Sequence, residues 1–170
     1  ATEEQKQRSF AGRRDAPQLD LAVKVSLHAL CVDLETGEQL RDIPLFEIDT
    51  PEPIHSMNSY ASPTPIYKDG RLYCHFGSYG TACVDARSGH VVWRNQQLRV
   101  NHQNGPGASP ALWRNLLILH FDGIDRQFVT ALDKRTGRVV WKVPRSGEMN
   151  PRPEYQKAYC TPLIAELGGR

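Results

Sequence analysis

The 170-residue sequence has no long apolar run, no C-x-x-C pair and no surplus of either charge sign. The first absence excludes a membrane-spanning helix, which needs about 18 consecutive apolar residues. The near balance of 21 basic and 19 acidic side chains, a formal charge of +2, gives no electrostatic reason to expect nucleic acid or an anionic membrane as partner. Four cysteines, Cys31, Cys74, Cys83 and Cys160, show no zinc-ligand spacing and leave the redox compartment open. Also missing are Glu-x-x-His, G-x-S-x-G and a phosphate loop. Gly105-x-Gly107 is a loop with two glycines and no following helix. Residues 1–20 are polar and charged and do not read as a signal peptide.

What is present is turn chemistry and repetition. Apolar residues make up 39% of the chain, beside 13 Gly and 12 Pro, a profile that suits short strands joined by turns better than long helices. Self-similarity then fixes the unit. Cys31-Val32-Asp33-Leu34-Glu35-Thr36-Gly37, Cys83-Val84-Asp85-Ala86-Arg87-Ser88-Gly89 and Ala131-Leu132-Asp133-Lys134-Arg135-Thr136-Gly137 are one motif, with aspartates 52 and then 48 residues apart. Trp93 and Trp141 follow their Asp by eight places; the first copy has Arg41 there. A second motif recurs in step: Ala61-Ser62-Pro63, Ala108-Ser109-Pro110 and Tyr159-Cys160-Thr161-Pro162.

Each unit reads as four short antiparallel strands. In the first full unit these are Thr64 to Tyr67, Leu72 to Phe76, Thr81 to Val84 and His90 to Trp93. Asp69-Gly70 and Ser88-Gly89 serve as turns, because Gly takes positive φ without steric penalty. Four strands per 45–50 residues is the signature of a β-propeller blade. Ankyrin and TPR arrays need about 33–34 residues and helical periodicity. A β-sandwich does not predict the same turn-plus-Trp element twice. The expected fold is all-β: a partial β-propeller of about three four-stranded antiparallel blades, an excerpt of a longer propeller, since three repeats do not close a ring. The units expected are 1–60 (the end of one blade: a charged loop, its last two strands and a linker), 61–107, 108–158 and the start of another over 159–170. Residues 1–29 are expected to carry the end of a second strand and the charged loop, with Leu21 to Leu30 feeding the third.

The stretch Ala131 to Trp141 resembles the tryptophan-docking motif of quinoprotein-like propellers, A-x-D-x-x-T-G-x-x-x-W. Cys83 to Trp93 matches it with Cys for Ala and Ser for Thr; Cys31 to Arg41 matches only the turn. More closely, Asn58 to Pro65, Asn101 to Pro110 and Leu116 to Trp141 resemble bacterial proteins of a PQQ-binding-like repeat, related in fold to the lipoprotein of the outer-membrane assembly machinery. The resemblance implies that each Trp stacks between neighbouring blades and that the protein works in the periplasm or outside the cell. It speaks for fold more than for activity. Asp33, Gly37, Asp85, Gly89, Trp93, Asp133, Thr136, Gly137 and Trp141 are therefore structural residues, and the first unit's docking contact is in question at Arg41.

Several residues offer chemistry. His75 and His120 occupy equivalent places beside a Phe and read first as architecture. Asn101, His102 and Asn104 form the best polar cluster, on a loop of the kind that approaches a propeller's channel; the competing reading is a hydrogen-bonded brace. Asp122 and Asp125 are weak calcium candidates without a full calcium-loop pattern, and turn-capping is the plainer reading. If Ser78-Tyr79 were a two-residue turn, Cys74 and Cys83 would face each other as a conceivable disulfide; against it, Cys31 and Cys83 stand where the third copy has Ala131, which suits small packing residues.

No catalytic residue is assigned. Three functions stand beside one another: a non-catalytic segment acting as a binding or scaffold surface for a protein or carbohydrate ligand, part of a PQQ-dependent dehydrogenase, and an extracytoplasmic sensor propeller attached to a signalling domain. No cofactor is expected in this stretch, and PQQ with calcium only in a complete propeller. The expected partners are the remaining blades.

Overall fold

The computed structural model describes residues 1–13, 15–152 and 155–168. Its strands are β1 (Leu19–Asp20), β2 (Val25–Val32), β3 (Gln39–Ile48), β4 (Ile54–His55), β5 (Ile66–Lys68), β6 (Arg71–His75), β7 (Thr81–Asp85), β8 (Val91–Asn95), β9 (Ala111–Trp113), β10 (Leu116–Asp122), β11 (Gln127–Asp133) and β12 (Val139–Pro144). β5 to β8 form one antiparallel four-stranded meander and β9 to β12 another. β2 pairs β3 around the first copy of the repeated turn, and β1 pairs β4 over two residues. This is a partial propeller.

The β5–β8 blade is apolar on both faces because it lies between two others. Side chains alternate along a strand. Tyr73, Cys83 and Trp93 face β9–β12, meeting Leu117, Leu119, Phe121, Phe128 and Leu132. Cys74, Phe76, Ala82 and Val84 face β2–β3, meeting Leu27, Ala29, Leu45 and Phe46. Phe121 and Phe128 stack at 4.8 Å between centroids. Such double burial, rather than one wet face, accounts for the near-continuous apolar strands.

The repeated turn has one construction in all three copies. Asp33 accepts from Glu35 N (3.0 Å), Thr36 N (2.8 Å) and Thr36 Oγ1 (2.9 Å). Asp85 accepts from Ser88 N and Ser88 Oγ, both at 2.9 Å. Asp133 accepts from Arg135 N (2.9 Å), Thr136 N (3.0 Å) and Thr136 Oγ1 (3.3 Å). Gly37, Gly89 and Gly137 close the turns at φ +74°, +77° and +71°. A bulge follows at the same place in each, after Cys31, Cys83 and Ala131. Cys83 sits opposite Trp93 and Ala131 opposite Trp141, so a small side chain leaves room for the indole.

Trp93 reaches the next blade. Its Nε1–H donates to Lys134 O at 3.0 Å, and a Cβ on Gly137 would stand 2.5 Å from its ring. The question raised by Arg41 is answered by an equivalent contact: its guanidinium donates to Ala86 O at 2.9 Å. Ala86 and Lys134 each follow the turn aspartate. Arg41 reproduces the hydrogen bond while its stem lies against Gly89.

One expectation is corrected, and one alternative left open by the sequence is closed. Residues 3–10 form a helix, α1 (Glu3–Phe10), and not the end of a strand. Thr2 and Gln5 cap it reciprocally, Glu3 and Glu4 lie in its first turn, and Lys6 and Arg8 pair with them. Cys74 and Cys83 are not opposite each other. Residues 77–79 form a 3-10 turn instead of a two-residue hairpin, which slips the register by one and pairs Cys74 with Ala82 and Cys83 with Tyr73. The two thiols thus face different cores and are free. Burial pushes them up to about 12 and about 11.

Candidate functional site

The loop between β8 and β9 is pinned before it reaches solvent. Ser78 Oγ donates to Val100 O (2.6 Å) and accepts from Val100 N (2.9 Å). Ser78 N–H donates to His102 Nε2 at 3.0 Å, which requires that nitrogen to be unprotonated. Burial holds the imidazole down to about 4, against a weaker upward pull from Asp125. His102 is therefore a neutral brace at pH 7. Gly77 lies so close that a Cβ there would meet Nε2 at 2.4 Å.

The flanking asparagines shape the loop's outer surface. Asn101 N–H donates to Asp125 Oδ1 (2.7 Å), and its Oδ1 accepts from Gln103 N (2.9 Å). Asn104 O accepts from Asn58 Nδ2 (2.7 Å) and His55 N (3.2 Å). Gln103 takes φ +63°. Arg13 reaches across from the N-terminal segment: its Nη2 donates to Gln103 O (2.9 Å), Asn104 Oδ1 (3.2 Å) and Asp15 Oδ2 (2.8 Å). The Arg13 guanidinium holds the Asp15 carboxyl below its ordinary range.

These groups line a cavity of about 1330 Å³ between the N-terminal segment, the 101–104 loop and Pro151, Arg152 and Lys157. Asn101 and Asn104 are on its wall, as are Arg13, Gln103, Glu52 and Lys157. His102 lies behind it. Desolvation lowers the Lys157 ammonium to about 8, the Asp15 charge opposing and Arg13 adding to the effect. Desolvation raises the Glu52 carboxyl, with Asp125 adding to it. The cavity thus offers amides, backbone groups and charges of both signs. Gln103 Oε1 is buried without a hydrogen-bond partner.

The remaining candidates are dispersed. Asp122 is buried under Arg145 (2.7 Å) and His120 (3.2 Å), whereas Asp125 turns to Asn101 and Arg126. Among the described residues, no three His, Cys, Asp or Glu converge as a metal ion requires. His75 is buried, hydrogen-bonded to Thr81 Oγ1 at 2.9 Å and edge-on to Phe121; burial takes it down to about 3. Arg13 and Lys157 had no sequence signal, since they join the site from segments outside the repeated motif.

A family model described as outer membrane protein assembly factor BamB matches residues 12–159. No curated protein matches. Solved structures similar to the chain include a europium-containing methanol dehydrogenase, at 18% identity and TM-score 0.48, covering 75% of this chain and 24% of that one. BamB from Moraxella catarrhalis matches at 18% identity and TM-score 0.45, covering 72% and 34%. Quinohemoprotein alcohol dehydrogenase from Comamonas testosteroni matches at 14% and 0.46, covering 74% and 23%. The chain spans about a quarter to a third of the length of these proteins.

Proposed function

The chain belongs to the PQQ-like repeat family described as outer membrane protein assembly factor BamB, and from that premise we propose that it is a non-catalytic propeller segment presenting a binding or scaffold surface. The surface is the cavity face formed by Arg13, Asn101, Gln103, Asn104 and Lys157. Its ligand is a protein segment or a carbohydrate, since extended backbones and hydroxyls are read by amide and backbone hydrogen bonds. The observation that carries the reading is that the loop's one imidazole is consumed as an acceptor for Ser78 N–H. A buried neutral brace takes His102 out of proton transfer and leaves the loop's amides and backbone groups as its binding groups at the wall.

The units 61–107 and 108–158 are taken as blades whose neighbours are further blades of the same propeller, and the Trp93 contact as the family's docking of one blade on the next. Family membership favours a place outside the cytoplasm. No helix of the described residues is long and apolar enough to cross a membrane.

Asp122 and Asp125 do not fit calcium: Arg145 already neutralises the first, and the second is committed to a backbone N–H. Mixing the intact protein with PQQ and calcium tests the reading. The expected result is no stoichiometric quinone absorbance and no dye-linked alcohol oxidation. A saturable quinone signal would overturn the proposal in favour of a dehydrogenase.

A further inference from the structure

A cluster outside the cavity has the parts of an activated thiol. His120 and Asp122 are two residues apart on β10 and so lie on one face of the strand. Asp122 Oδ2 accepts from Arg145 Nη1 at 2.7 Å, and His120 Nε2 lies 3.2 Å from the same oxygen. The other carboxylate oxygen, Oδ1, is buried with no hydrogen-bond partner among the described residues. The carboxylate's charge beside Nε2 favours the imidazole proton on that nitrogen and leaves the Nδ1 lone pair as the free acceptor. On that side stands Cys160 Sγ, 3.8 Å from Nδ1. The thiol is exposed, the imidazole largely covered and the carboxylate buried.

The repeat shows that the thiol is an addition. Cys160 occupies the place of Ala61 and Ala108 in the recurring start motif. Packing at that place is satisfied by a methyl group, and Ala108 is buried there. His75, the repeat equivalent of His120, turns its Nδ1 to Thr81 and has no thiol. Among the described residues, sulfur, imidazole and carboxylate stand in series only where Cys160 of the last start motif meets His120 and Asp122 of the unit before it.

We propose that Cys160 is a base-assisted thiol that exchanges with small-molecule disulfides, with His120 accepting its proton and Asp122 and Arg145 positioning the imidazole. The thiolate is the nucleophile in such exchange. Cys160 sulfur attacks one sulfur of R–S–S–R, the S–S bond breaks, and Cys160–S–S–R and R–SH result. The proton lost by Cys160 passes to His120 Nδ1 and from there to the leaving thiolate, so no outside oxidant is needed. Asp122 acts through the imidazole and does not touch the disulfide.

The test uses the intact protein and oxidised glutathione, with mixed-disulfide formation at each cysteine followed by peptide mass spectrometry. Cys31 is the exposed reference and Cys74 and Cys83 the buried ones. Cys160 should react about tenfold or more faster than Cys31 at pH 7. Their ratio should grow as pH falls to 6, because an unassisted thiol loses its thiolate about tenfold per unit below its pKa. His120→Gln should bring Cys160 to the Cys31 rate while leaving Cys31 unchanged. Equal rates for Cys160 and Cys31, a pH-independent ratio, or a folded His120→Gln protein with undiminished Cys160 reactivity would each overturn the proposal. The pH profile needs no variant and decides the matter if His120→Gln does not fold.

Discussion

Trp93 is where one blade's stability is tied to the next, and its removal has a calculable cost. The side chain is only 8% exposed, packs beside Tyr73, covers Gly137 and donates to Lys134 O. Truncating a buried Trp to Ala removes transfer free energy and leaves a cavity, together about 3–5 kcal/mol. The hydrogen bond accounts for about 1 kcal/mol of that order, so Trp93→Phe should lose much less than Trp93→Ala. Trp141 holds the same motif position, but within these 170 residues it is half-buried and makes no hydrogen bond through its indole among the described residues; in a chain of these residues alone Trp141→Ala should cost about 1 kcal/mol for the smaller area it buries. Urea unfolding followed by circular dichroism measures all three. With a denaturant slope of about 2 kcal/mol/M, Trp93→Ala should move the midpoint down by roughly 2 M and Trp141→Ala by about 0.5 M. Equal shifts for the two alanine variants would refute the claim that the inter-blade contact, and not the motif position, carries the energy.

Three further outcomes are expected. Gly37 and Gly137 have nearly the same φ, but only Gly137 faces Trp93. Gly37→Ala should therefore cost the left-handed penalty alone, about 1–2 kcal/mol, and Gly137→Ala clearly more in the same urea titration. Arg41→Leu keeps apolar bulk beside Gly89 but removes the donor to Ala86 O; it should cost about 1 kcal/mol, whereas Arg41→Trp should be tolerated, because Trp93 makes the corresponding bond. The buried imidazoles set the acid limb. His75 and His102 are held at about 3 and about 4, below the ordinary 6.5 of an unfolded chain. The unfolded state binds the extra protons, so stability is complete above about pH 6.5 and falls on acidification by up to ~1.4 kcal/mol per pH unit for each group until its folded value is reached. His102→Gln should flatten that slope over pH 4–6 in melting experiments; an unchanged slope would mean that His102 is not held neutral. Below about pH 4 the turn carboxylates add to the loss. Thr36 N–H holds Asp33 low and Ser88 N–H holds Asp85 low, while the Arg135 and Thr136 N–H groups lower Asp133 against its own desolvation.

The blade plan was legible because its signals are local. An Asp with Ser or Thr three residues on and Gly four on specifies the same side-chain-to-backbone turn wherever it occurs, and three copies in step give the unit length. The helix over residues 3–10 was equally local. Thr2-x-x-Gln5 is a capping-box pattern, but the repeat gave no reason to look for a helix there. The Cys74–Cys83 pairing, which the small-residue pattern at Cys31, Cys83 and Ala131 already argued against, is missed by one residue of register. Gly77-Ser78-Tyr79-Gly80 has turn formers at three of its four positions, and the bonds of Ser78 to Val100 and His102 hold the longer turn.

The site was only partly legible, for a related reason. A polar cluster such as Asn101-His102-Gln103-Asn104 shows where hydrogen bonds will be made, but not which side of the loop is the inside. That is decided by burial, and burial is a property of the neighbours. His102 turns inward because Val100, two residues before it, is anchored in the inter-blade core, which delivers the imidazole to Ser78. The residues left facing the cavity are then completed by Arg13 and Lys157, about 90 and 50 residues away in sequence. Arg41 makes the same point in reverse. By type it breaks the motif, yet in space its guanidinium stands where an indole N–H stands in the next copy. What the first two copies share is thus a donor aimed at one carbonyl of the following turn, a requirement that residue identity alone does not express.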